Sequence, residues 1–153
     1  MRDVTQAQQL IAELDAAAER VNAAIAGLTD EQASRPAADG WSTKDQLNHI
    51  AFWHEMRFFE VSRIARGGDA SFPLTEERGV EQLNEKIAAN RRRLPLWQVV
   101  ADLDFAREMV KQALLAGSDD MAMSRFQEIG PIGAGHEIEH AGLIESWRKE
   151  QGL

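Results

Sequence analysis

Apolar residues recur at three- and four-residue steps over long stretches of the chain, and nothing alternates in the two-residue rhythm of a strand for more than a few positions. Over residues 5–28 the stripe is Leu10, Ile11, Leu14, Ala18, Val21, Ile25 and Leu28, which predicts one amphipathic helix. Thr29-Asp30-Glu31-Gln32 has the spacing of a capping box and predicts a short extra turn. Residues 35–40, with Pro36 and Gly40, read as a loop. A second long helix starts after Trp41, with Ser42 as N-cap and Asp45 three residues on, and runs to about Arg66, where Gly67-Gly68 stops it. Residues 80–93 predict a further helical stretch, broken at Pro95. Residues 96–115 predict the next, with Val99, Leu103, Ala106, Val110 and Leu114 on one side. After a loop over 119–130, a last helix is predicted from Pro131 to Glu150.

Helices with one apolar face bury it against each other, so the predicted fold is an all-α four-helix bundle in a single domain over residues 1–153. The connection over 67–80 is long enough for a crossover, so simple up-down order is not required.

Composition adds exclusions. The chain has 153 residues, 44% hydrophobic and 27% charged, which suffices for a packed core. It has no Cys, so disulfides, thiolate ligands and cysteine nucleophiles are out, and no Tyr, so phenolic acid–base chemistry is out. A net charge of −8 repels phosphate backbones, which predicts neither nucleic acid nor an anionic membrane as partner. The first residues lack a basic run followed by an apolar stretch, and no apolar run approaches a membrane span, so the expected location is cytoplasmic.

The candidate chemistry lies in four histidines on two helices. His136 and His140 are four apart, about 40° around the helix and one turn along it, so both rings can reach one ion. Leu143, Ile144 and Trp147 continue that stripe and turn it inward. His49 is able to supply a third nitrogen from the second helix if the two helices are neighbours. Three imidazoles leave coordination positions open, as a catalytic divalent ion needs. Without that neighbourhood, two such histidines are hydrogen-bonded groups at a core edge. His54, about 140° around from His49, reads as a packed or rim residue.

Other residues carry weaker signals. Asp45 is a candidate partner for the second ring nitrogen of His49, although its spacing from Ser42 favours a helix cap. Glu137 and Glu139 flank the histidines and are candidate general bases, against the ordinary reading of solvated or ion-paired side chains. Trp53 and Trp147 share faces with the proposed ligands and are candidate cleft walls. Phe52, Phe58 and Phe59 spread around the second helix and predict a homodimer contact. Arg91-Arg92-Arg93 reads as a solvated helix end.

The string Gly40-Trp41-Ser42-Thr43-Lys44-Asp45-Gln46-Leu47-Asn48-His49, followed far downstream by His136-Glu137-Ile138-Glu139-His140 and Ile144-Glu145-Ser146-Trp147, resembles the DinB/YfiT-like superfamily, and within it the ClbS/DfsB proteins. The chain departs from that pattern in lacking Tyr and in carrying His54 where many relatives have Glu. The resemblance implies a four-helix bundle holding a divalent transition metal, zinc or nickel, on His49, His136 and His140. It implies a hydrolase or a low-molecular-weight-thiol S-transferase acting on a small electrophilic molecule, in a stress or detoxification role. The alternative is a non-catalytic bundle that binds a small molecule or forms an oligomeric scaffold.

Overall fold

The computed structural model describes residues 5–68, 77–117 and 134–153. Among them the regular structure is helical: α1 (Gln6–Ile25), α2 (Asp30–Ala33), α3 (Thr43–Ala65), α4 (Glu77–Arg91), α5 (Leu96–Ala116) and α6 (Ala134–Gln151). Three helix starts are built by reciprocal caps. Thr5 pairs with Gln8, Thr29 with Gln32, and Ser42 with Asp45, each side chain satisfying a backbone N–H that the helix leaves orphaned. Pro95 sits at the N-cap of α5 rather than inside a helix, so it separates α4 from α5. Pro131 and the loop predicted over 119–130 lie outside the described residues.

The four long helices close into a ring: α1 packs on α6, α6 on α3, α3 on α5 and α5 on α1. Two apolar clusters fill it. One joins Leu14, Val61, Ile64, Val110 and Leu114, and the other Val21, Leu47, Ile50, Val99, Leu103, Ala141 and Ile144. The same clusters give the directions. Early α3 meets early α5 and late α3 meets late α5, so those two helices are parallel, and α1 runs against both. Arg20 pairs with Glu145, and Arg148 donates to the carbonyls of Ala24 and Ala26, so α6 runs alongside α1 in the same sense.

Two consecutive parallel helices need a return path, and α4 lies on it as a fifth layer against α3. Trp41 Nε1 donates to Glu85, Trp53 Nε1 to Asn84, Arg91 pairs with Glu55, and Arg92 with Asp45. The Arg91-Arg92 end is therefore tied to α3 rather than wholly solvated. Phe52 is buried beneath the Arg91 guanidinium, and Phe58 packs into the core. Only Phe59 remains exposed of the three aromatics read as a partner contact. No helix among the described residues is long and apolar enough to cross a membrane.

Candidate metal centre

α3 and α6 are neighbours in opposite directions, so His49 faces the four-residue pair on α6. The Nε2 atoms of His49 and His136 are 2.9 Å apart, and those of His136 and His140 are 3.0 Å apart. One nitrogen from each of the three rings lies within 4.8 Å of the others. Among the described residues, no carboxylate joins the cluster.

The donor chemistry fits one divalent cation. Burial pushes all three imidazoles below their ordinary 6.5, and nearby imidazoles add to it, His136 acting on His49 and His140, His49 on His140, and His54 on His136: His49 and His136 fall to about 4, and His140 to about 3. All three rings are therefore neutral near pH 7 and offer lone pairs. Gln46 Oε1 accepts from His140 Nδ1, which puts the proton on that nitrogen and leaves Nε2 free to ligate. Three lone pairs aimed at one another have no donor among themselves. With metal–nitrogen bonds of about 2.0–2.1 Å, neighbouring ligands at 90–109° stand roughly 2.9–3.4 Å apart, which matches the His49–His136 and His136–His140 separations.

Trp41 and Trp53 frame the cluster. Trp41 meets the His49 ring edge-on at 5.2 Å between centroids, and Trp53 does so at 6.4 Å. The loop before α3 holds Trp41 in place: Ala37 donates to the Trp41 carbonyl, and Gly40 adopts φ 90°, a conformation that glycine takes without strain. Trp147 is buried and lines a cavity of about 230 Å³ with Trp41, Gln46 and Leu143.

The flanking acids are reassigned by their surroundings. Asp45 accepts from the Ser42 N–H and from Arg92 Nε, so it is a cap and ion-pair residue and not the partner of His49; the orienting group is Gln46, on His140. Glu139 is exposed. Glu137 is fully buried, with Arg107 donating to both its oxygens at 2.8 and 2.7 Å and His54 Nε2 donating at 2.6 Å. Burial would raise this carboxyl, but the hydrogen bonds from His54 and Arg107, with Arg107's charge, outweigh it and hold the group ionised. A carboxylate so engaged is a structural anion, not a base aimed at the cluster. The sequence reading overlooked Arg107, although it interrupts the apolar stripe of Leu103, Ala106, Val110 and Leu114, and a charge on such a face signals a buried partner. Gln46 left no comparable signal.

A bundle with histidines converging from two of its helices defines a candidate metalloprotein of the DinB type. The chain matches the DinB superfamily over residues 13–144, most of its length, and it belongs to that superfamily. No curated protein matches it. Two solved structures share the fold. One is an uncharacterised protein from Escherichia coli UTI89, with a TM-score of 0.76 and 15% identity over 99% of this chain and 96% of that one. The other is the colibactin self-resistance protein ClbS in complex with a double-stranded DNA, with a TM-score of 0.79 and 14% identity over 97% of this chain and 98% of that one. The DNA complex corrects the expectation that excluded nucleic acid. A protein of this fold does meet a duplex, and net charge measures an average over the surface, not the potential of one face.

Proposed function

We propose that the chain is a divalent-metal-dependent enzyme, a hydrolase or a low-molecular-weight-thiol S-transferase, acting on a small electrophilic molecule in a protective role. The carrying observation is the convergence of three neutral ring nitrogens from two helices, 2.9 and 3.0 Å apart along the series, with no fourth ligand in the cluster among the described residues. A divalent ion held by His49, His136 and His140 would supply Lewis acidity and lower the pKa of a water or small thiol at the open positions. The protein's part is preorganisation. Gln46 holds the tautomer of His140, Trp41 and Trp53 meet the His49 ring edge-on, and the buried Arg107–Glu137 pair anchors the start of α6 that carries His136.

Elemental analysis of the purified chain tests the reading, with near-stoichiometric zinc or nickel expected in the wild type and none in His136→Ala. Turnover of small electrophiles, with and without added thiol, must follow the metal content. A chain without transition metal, or one whose turnover ignores it, overturns the proposal.

The DNA complex of ClbS supports a second reading, in which the chain engages a duplex and turns nothing over. A gel-shift series against salt separates the two: a duplex affinity that falls with salt, in a metal-loaded chain inert toward electrophiles, favours this one.

A further inference from the structure

α5 buries one face and leaves the other in water. Val99, Leu103, Ala106, Val110 and Leu114 are buried, whereas Trp97, Ala101, Phe105, Glu108 and Gln112 are all exposed. At about 100° per residue those five lie within about 80° of one another, so they form one stripe along the helix. Trp97 is 72% exposed and Phe105 68%, the two most exposed large apolar side chains among the described residues. They stand four residues either side of Ala101, and Val100, only partly buried, widens the apolar surface between them. Single apolar residues in water are ordinary, but two aromatic rings joined through small residues on one helical stripe make a contiguous patch.

The polar groups around the patch divide by sign along the helix. Asp104 and Glu108, 59% and 56% exposed, stand at its C-terminal end. Asp104 meets Arg107, and Glu108 meets Lys111 and Gln112, yet a carboxylate has about four acceptor sites and each keeps some free. Arg93, exposed and without an ion pair among the described residues, stands just before the N-terminal end. A second α5 laid antiparallel on the first, about a two-fold axis at Ala101, brings Trp97 of each copy level with Phe105 of the other. The same operation brings Arg93 within a residue of Glu108 and sets the two helix dipoles in opposition. A parallel pair would instead face carboxylate with carboxylate. Ala101 at the crossing lets the helix axes approach to the usual distance of about 8–10 Å. An apolar face edged by carboxylates repels phosphate, so neither a duplex nor an anionic membrane fits it.

We infer that α5 is the surface through which two copies of this chain pair, antiparallel and centred on Ala101. The homodimer contact then lies on α5 and not on α3, where Phe52 and Phe58 are packed inward. This pairing is independent of the metal reading. An aromatic side chain covers roughly 150–250 Å², so four rings exposed to this degree supply on the order of 600 Å², and the residues around them bring the total to about 1,000–1,200 Å². That is the low end for a specific interface, so the pair is reversible, with a Kd in the micromolar range.

Sedimentation equilibrium of the full-length chain over a concentration series is the test. A monomer–dimer equilibrium is expected, and Trp97→Ser and Phe105→Ser should each raise its Kd at least tenfold with helix content unchanged by circular dichroism, since both side chains are exposed. Arg93→Glu should raise Kd about threefold, and adding Glu108→Lys should return it to within about twofold of the wild type. The register is read separately. The chain has no Cys, so Gln112→Cys carries a single nitroxide label. Across the antiparallel pair two such labels stand about 33 Å apart along the helix axis, and an electron–electron distance of roughly 30–45 Å is expected. A chain that stays monomeric at about 1 mM, a Kd indifferent to both aromatic substitutions, or a label distance outside that range overturns the assignment.

Discussion

α3 and α6 meet through histidine twice, with opposite results. At one meeting His49, His136 and His140 gather three neutral nitrogens, with two of the rings half-exposed and no charge among them. At the other, His54, Glu137 and Arg107 gather a carboxylate, a guanidinium and an imidazole in a site closed to water. His136 and Glu137 are adjacent in the chain yet belong to different clusters, because successive helical residues point about 100° apart. On the proposed reading, the first cluster is completed by a cation. The second has its hydrogen bonds made internally, apart from the buried Nδ1 of His54. On that reading one presents the chemistry, and the other anchors the helix that carries His136 and His140.

The largest effect should come from breaking the closed cluster. Glu137→Gln leaves the Arg107 guanidinium buried without its counter-charge and should cost about 3–5 kcal/mol of folding stability. Chemical denaturation reads it, and pairing the change with Arg107→Met should restore most of the loss. His136→Ala, one residue away, should instead leave metal-free stability nearly unchanged, and so split the two clusters.

Acid should then separate them by pH. The three cluster histidines are neutral in the fold down to about pH 4, 4 and 3, whereas the unfolded chain protonates them near 6.5. The unfolded state therefore binds more protons below that value, and metal-free stability should fall as pH drops from about 6.5 towards 4. Glu137 is lowered from 4.5, so its contribution persists above that value and is lost only in more acid solution. Urea denaturation at a series of pH values should show the first decline reduced in His140→Gln and retained in Glu137→Gln.

Smaller effects sharpen the border between orienting and capping residues. Gln46→Leu frees the His140 tautomer and should weaken metal affinity 10–100-fold, measured by competition with a chelator. Asp45→Ala removes a cap and the Arg92 pair, and should cost about 1 kcal/mol of stability without changing metal affinity.

Helix starts were legible because capping is local: Thr29 with Gln32 and Ser42 with Asp45 are read three residues apart and found so. The His136–His140 pair was legible for the same reason, being one turn of one helix. His49 was readable only as a candidate until α3 and α6 proved to be neighbours. Asp45 was offered two partners by its spacing, and only packing put Arg92 beside it and Gln46 beside His140.

Periodicity and capping, which act within a few residues, were enough to specify an all-helical bundle, where α2, α3 and α5 begin, and which faces turn inward. Partnership across the bundle was settled elsewhere. Whether an imidazole meets two others, as His49 does, or a carboxylate already claimed by an arginine, as His54 does, depends on which helices lie side by side and in which direction. That depends on the simultaneous burial of every apolar face, and no local stretch of chain encodes it alone.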